Sequence, residues 1–326
     1  MASWIPGASI AAPLLALCGA PLFVGVVNRT KAIVAGRRGP PLLQLYFDLV
    51  MLLRKDAVYS QTTTWIFRAA PVAALSGALL AAFLVPLGGV AAPLSFTGDL
   101  VLLAGIVALV RFATVLAALD AGSSFEGREA SREAQLGTIV EPALLVGLAA
   151  LARATELARA AVGRGLPESV HPLSLAALAQ GVDAQAWIAF GPALALLAGA
   201  LVLVLLAENC RIPFDDPTTH LELTTVHEVM ALDHGGPDLG FLLYAAAVKL
   251  WVFAALVVNL IVPVRSGSAA VDLGAALLGM AGLAVAIGLV ESAMARLRLV
   301  RVPQLLVAAG ALSALAAILT LRGGAS

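Results

Sequence analysis

The stretch ENCRIPFDDPTTHLELTTVHEVMALDH, residues 208–234, sets acids, histidines and prolines between two of the most apolar runs of the chain, 188–207 and 240–262. Charge beside hydrocarbon is costly unless it is paired, hydrated or put to use. Polar density at this place therefore implies an ion path or a docking surface. The remainder of the chain reads as scaffold around it.

That scaffold is unmistakable in the composition. Of 326 residues, 61% are hydrophobic and 12% charged, against about 45–50% and about 25% in soluble domains. A mean hydropathy of +0.98 cannot be absorbed by one aqueous core, so the expected fold is an all-α polytopic membrane protein. The net charge is zero, with no basic patch or charged tail, which argues against nucleic acid. Cys18 and Cys210 lie far apart without a CxxC spacing, which argues against a disulfide framework or a cysteine-held cluster. The first apolar run has no basic residues ahead of it and exceeds about 20 residues, so it reads as a retained span rather than a cleaved signal.

Eight runs are long enough to cross a bilayer, near 5–27, 67–90, 100–119, 134–151, 188–207, 240–262, 271–292 and 302–319. Glu141 and Pro142 interrupt the fourth, which needs neighbouring helices to cover it. The links after the odd-numbered spans hold Arg29, Lys31, Arg37, Arg38, Arg54, Lys55, Arg128, Arg132, Arg211, Arg296, Arg298 and Arg301. The opposite side holds only Arg153, Arg159, Arg164, Arg265 and Arg322. The positive-inside rule then puts the first set in the cytoplasm and both termini on the outer side of the inner (plasma) membrane.

Within this single membrane domain, 1–326, two cytoplasmic segments are more than linkers. Residues 41–55 (PLLQLYFDLVMLLRK) place Leu42, Leu43, Tyr46, Phe47, Val50 and Leu53 on one helical face, too short to span and suited to lying in the interface. In the polar loop 208–236, Asp216 as N-cap and Pro217 at the first helical position open a helix over 217–233 that Gly235, Gly236 and Pro237 close.

His220, His227 and His234 recur every seven residues and would share one face of that helix. Neighbours would then stand roughly 10 Å apart, too far to ligate one metal ion. A polar face packed on a partner or lining a hydrated cavity fits better, with a proton relay open. Asp99, Arg111, Glu141, Glu208, Lys249 and Glu291 fall inside or at the edges of spans. Each single residue could belong to an interhelical pair, such as Glu141 with Lys249 or Arg111. As a set they favour an ion path, with Glu141 the deepest. There is no phosphate-binding loop, dinucleotide fingerprint or catalytic triad pattern, and the spans contain no histidine for a bis-histidine haem. The chain is expected to bind no metal or redox centre of its own.

Four blocks carry a resemblance: RRGPPLLQLYFDLVMLLRK (37–55), LDAGSSFEGREASREAQLGTIVEP (119–142), ENCRIPFDDPTTHLELTTVHEVMALDHGG (208–236) and ESAMARLRLVRVPQLL (291–306). The chain resembles the membrane subunit of respiratory complex I that contacts the quinone-reducing arm. It is closer still to the corresponding subunit of formate hydrogenlyase-type, membrane-bound [NiFe] hydrogenases. Complex I typically reads RAPFDLPEAESEL where this chain reads RIPFDDPTTHLEL. Asp215 and Glu222 keep acidic positions of that motif, whereas Thr218 and His220 stand where the complex I pattern has acids.

The resemblance implies an eight-helix bundle docking a hydrophilic arm, whose large subunit holds the [NiFe] centre and whose small subunit holds iron–sulfur clusters. It also implies antiporter-like membrane subunits as neighbours in the bilayer. On that reading Asp215, Glu222, Glu141, Glu208, Glu291, Lys249 and Arg132 form the coupling path, with Arg132 nine residues ahead of Glu141. Arg38, Gln44, Asp48, Arg211, Asp216, His220 and His227 form the floor that docks the arm or borders a quinone-like cavity. A quinone-site subunit of a complex I-type oxidoreductase is the alternative, and the replaced acids count against it. A free-standing transporter lacks the expected repeats. A purely structural anchor with paired charges also stays open.

Overall fold

The computed structural model describes residues 10–162, 173–214, 229–294, 297 and 301–323. Among these, ten helices follow one another: α1 (Ala11–Val34), α2 (Gln44–Leu53), α3 (Trp65–Leu84), α4 (Asp99–Asp120), α5 (Ser124–Val162), α6 (Leu175–Gly181), α7 (Ala184–Glu208), α8 (Gly236–Ile261), α9 (Ala269–Ala293) and α10 (Val302–Gly323). All but α2 and α6 are long and apolar enough to cross a membrane. The chain is thus an all-α, multi-pass membrane protein, as its hydropathy predicts.

Consecutive spans alternate in direction. The described parts of the links 35–64, 121–123, 209–235 and 294–301 therefore gather at one end of the bundle, and these links are rich in Lys and Arg. Helix α8 is the axis: 67% of its apolar window is buried, against 28% for α9 and α10. It packs on α3, α1, α7 and α9, while α5, α7 and α10 form a tight trio joined to the rest through the α4–α5 and α7–α8 contacts.

Helix α5 departs from expectation. The apolar run 134–151 is only the middle of a 39-residue helix, with Pro142 inside it. Residues 124–133 are charged, yet Glu, Arg and Ala are strong helix formers, so helix propensity continues where hydrophobicity stops. At 1.5 Å per residue α5 is about 58 Å long, nearly twice a hydrocarbon core of about 30 Å. The expected loop before the fourth span shrinks to residues 121–123, and an acid-rich helical stem stands at the basic end.

Helix ends are fixed by side chains. Asp120 at the end of α4 accepts from the Thr64 N–H (2.7 Å) and the Phe67 N–H (3.2 Å), closing the start of α3. Asp183 caps α7 through the Ala186 N–H at 2.8 Å. At the opposite end of the bundle Asp99, an acid of the span edges, accepts from the Leu175 N–H (2.7 Å) and anchors α6. Pro21 inside α1 supplies no N–H for the Leu17 carbonyl, and the Tyr244 hydroxyl of α8 donates to that oxygen at 3.0 Å.

The amphipathic segment 41–55 forms a helix only over Gln44–Leu53. Leu42, Leu43, Phe47, Val50 and Leu53 of the predicted face remain exposed in the chain, while Leu52 is buried. The Tyr46 hydroxyl donates to the Cys18 carbonyl of α1. A Cβ on Gly25 of α1 would lie 2.1 Å from the Leu42 carbonyl oxygen, so only glycine lets the chain cross α1 here on its way into α2.

Of the polar loop, residues 208–214 and 229–236 are described. Residues 229–230 are helical and 231–233 form a turn. The expected helix therefore stops short of Asp233, and His234 lies beyond it rather than on its face, a difference at the level of a helix end. Asp215, Asp216, His220, Glu222 and His227 lie outside the described residues.

Candidate ion-path site at the basic end of the bundle

A cluster of charged residues inside the bundle is centred on Arg111. It sits nine residues before the end of α4, about 14 Å into the helix from the basic end. Its guanidinium donates to three carboxylates from two other helices. Nε reaches Glu133 Oε1 at 3.1 Å, Nη1 reaches Glu141 Oε1 at 2.7 Å, and Nη2 reaches Glu208 Oε1. Lys249 of α8 stands 4.0 Å from the other oxygen of Glu208. The planar five-donor fork of arginine suits this triple engagement, which an ammonium could not reproduce.

Local sequence explains how α5 presents the cluster. Glu133, Gly137 and Glu141 are spaced i, i+4, i+8, so they lie along one helical face. Gly137 leaves the groove between the two acids in which Arg111 lies. Glu208 is the last residue of α7 and its side chain is fully buried.

A second network begins three residues further on. Arg211 Nη1 lies 3.4 Å from Glu291 Oε1, and Lys31 Nζ lies 2.9 Å from Glu291 Oε2. The Glu291 side chain is fully buried at the end of α9. Residues 208–211 thus join the two networks, and Leu297 N–H donates to the Pro213 carbonyl at 3.1 Å beside them.

A third group lies on the stem of α5. Arg132 Nη1 (2.6 Å) and Arg128 Nε (3.2 Å) both hold Glu129 Oε1. Glu126, also buried, accepts from the Asp233 N–H at 3.3 Å. Beside it His234 stacks on Phe67, with ring centroids 3.9 Å apart and planes at 10°. Burial pushes the His234 imidazole below its ordinary pKa, against the pull of Asp238 and Asp233. The crevice bounded by Thr114, Met230, His234 and Leu242 measures about 20 Å³, room for about one water.

Three of the five described path residues read from sequence are thereby brought together. Glu141, Glu208 and Lys249 share the Arg111 cluster, and Glu291 joins Arg211. Arg132 does not reach Glu141; it is taken up by Glu129. Arg211, grouped by sequence with docking residues, is 8% exposed and holds Glu291. Arg38 is exposed on the link into α2, and Gln44 Nε2 donates to Asp48 Oδ1 at 2.8 Å. Sequence reasoning missed Glu133, Gly137 and the Lys31 contact. The E-x3-G-x3-E spacing was the available signal for the first two, hidden because residue 133 was assigned to a loop.

The family model for NADH dehydrogenase matches residues 8–321, almost the whole bundle and every helix that contributes to these networks. The chain belongs to the NADH dehydrogenase family. Two relatives in Escherichia coli (strain K12) narrow the branch. Formate hydrogenlyase subunit 4 is 30% identical over 297 residues, covering 88% of this chain and 89% of that protein. Hydrogenase-4 component C is 31% identical over 256 residues, covering 78% and 75%. Among solved structures, a chain of the membrane-bound sulfane sulfur reductase, an archaeal respiratory membrane complex, matches with a TM-score of 0.76. That match has 20% identity and covers 96% of this chain and 98% of the other, so the fold is shared. The resemblance carried by the four sequence blocks is borne out. In this NADH dehydrogenase family chain, the Arg111 network occupies the bundle interior and the Glu291 network its basic end.

Proposed function

We propose that the chain is the membrane-anchoring and ion-coupling subunit of a complex I-like, membrane-bound hydrogenase assembly of the formate hydrogenlyase kind. Its work is to link electron transfer in a hydrophilic arm to proton or sodium movement through the membrane. The observation that carries this reading is the Arg111 cluster: five charged side chains from four helices, Glu208 fully buried and the other four half-buried between the helices, joined through residues 208–211 to the basic end. Intramembrane charges in such density serve ion movement far more often than anchoring alone.

On this reading the basic end faces the cytoplasm and both termini face outward across the inner membrane. The hydrogenase large and small subunits, with their [NiFe] centre and iron–sulfur clusters, dock beneath the polar loop and α2. Antiporter-like membrane subunits continue the path. A quinone site is the weaker reading, because Thr218 and His220 stand where the complex I pattern has acids.

Purification of the chain in mild detergent tests the assembly. Copurifying nickel, iron–sulfur subunits and hydrogen-dependent dye reduction are the expected result. A complex with NADH- or quinone-linked activity and no nickel would overturn it.

A further inference from the structure

We propose that α2 and the two residues after it form a binding site for an anionic phospholipid. The acyl chain runs along Leu43, Phe47 and Val50, and the phosphate rests at Arg54 and Lys55. The site concerns the outer flank of the chain and stands independently of ion coupling.

Helix α2 lies within the end of the bundle rather than beyond it. The chain enters α2 beside Gly25, nine residues and about 14 Å short of the end of α1. Further along α2, Leu52 is buried, and a Cβ on Gly240 near the start of α8 would lie 3.5 Å from its side chain. The Tyr46 hydroxyl reaches deeper still, to the Cys18 carbonyl of α1. A helix at this depth beside two spans meets acyl chains on the side the spans leave open.

Its faces divide accordingly. Leu45 packs against the hydrophobic core, on the same side as Leu52. On the opposite side Leu43, Phe47 and Val50 follow one another at i, i+4 and i+7, and they are 48%, 60% and 50% exposed. An acyl chain covers such a stripe without protein contact. Gln44 donates to Asp48 at 2.8 Å on a third sector, roughly 100° round the helix from the stripe. The polar side of α2 is thereby left to a protein partner.

Charge selects the headgroup. Arg54 is the next residue on the stripe, and Lys55 adjoins it. Both are exposed, as are Arg37 and Arg38 on the way into α2. No salt bridge engages any of the four among the described residues. Against them the segment 37–56 holds two acids, Asp48, bonded to Gln44, and Asp56. The Asp56 carbonyl lies against Gly236 at the start of α8, so Arg54 and Lys55 stand close to the end of that span. An apolar stripe that ends in cations at the level of a span's end matches the tail and the phosphate of one anionic lipid.

The test is native mass spectrometry of the purified full chain in detergent, with phosphatidylglycerol and phosphatidylcholine offered at equal concentration. The wild type is expected to hold phosphatidylglycerol in preference. An Arg or Lys beside an anionic headgroup contributes about five-fold in affinity, so Arg54→Gln/Lys55→Gln should lower the preference roughly 25-fold. The swap Arg54→Lys/Lys55→Arg retains it, which separates lost charge from lost folding. Phe47→Ser weakens both lipids alike, and Arg153→Gln at the opposite end of the bundle changes neither. Equal binding of the two lipids by the wild type, or an undiminished preference in Arg54→Gln/Lys55→Gln, overturns the proposal. Release of the lipid by inorganic phosphate overturns it in favour of a free anion. The assembled complex is expected to keep the lipid; its loss there would give the stripe to a protein subunit and overturn the proposal.

Discussion

Arg111 and Gly137 face each other across the α4–α5 contact so closely that a Cβ on Gly137 would lie 2.6 Å from Nη1 and 3.0 Å from Cδ of the arginine. The glycine is the reason one guanidinium can engage acids on both sides of it along α5. Three partners hold Arg111, so it cannot simply swing away. Gly137→Ala is expected to destabilise by about 1–3 kcal/mol through overpacking, against the small gain alanine normally gives in a helix. Gly105→Ala in α4, where a Cβ meets nothing within 4 Å, is the control. Thermal unfolding of the two variants in detergent separates them. Equal midpoints would mean that the groove is not needed.

Arg111→Gln leaves three acids with only Lys249 among them. Breaking a buried pair by removing one partner costs about 3–5 kcal/mol. Arg111→Lys keeps the charge but cannot present three donors in a plane. Both variants are therefore expected to accumulate poorly in membranes, with lysine giving only partial rescue. Full rescue by lysine would show that net charge alone matters.

At the basic end, Glu291 pairs with both Lys31 and Arg211. Glu291→Gln should lower the unfolding midpoint, and adding Lys31→Met should recover part of the loss. A double-mutant cycle reads this coupling. Strict additivity would mean that Lys31 and Glu291 do not interact.

His234 gives a pH signature outside the spans. Its pKa is lowered by burial, so it is buried neutral against Phe67. The unfolded chain takes up a proton first as pH falls below about 6.5, and stability rises with pH wherever the unfolded state binds more protons. The stabilisation from His234 is thus complete above about 6.5 and lost as pH falls towards the folded pKa. His234→Phe retains the stack and removes the titration. Its unfolding midpoint should fall less than that of the wild type between neutral and mildly acid pH. Parallel curves would place the titrating group elsewhere.

Eight crossings and the short helix between the first two were legible because hydropathy and periodicity are local properties of the chain. The stem of α5 was not, because charge was taken as the end of a helix although Glu, Arg and Ala continue one. That error concealed Glu133, whose role depends on facing Arg111 from a neighbouring helix. Glu141, Glu208, Lys249 and Glu291 were visible as charges among apolar residues; of their partners only Arg111, one of two offered for Glu141, was legible. Arg132 shows the limit of spacing: nine residues from Glu141, it turns to Glu129 instead. Which acid meets which base is settled by helix packing.

Hydrogen-driven acidification in proteoliposomes holding the purified complex tests the central claim most directly. Wild type is compared with Glu141→Gln at matched assembly and matched hydrogen-dependent dye reduction. Coupling through the Arg111 cluster requires that the variant retain dye reduction and lose ion movement. Undiminished ion movement in Glu141→Gln would contradict the account.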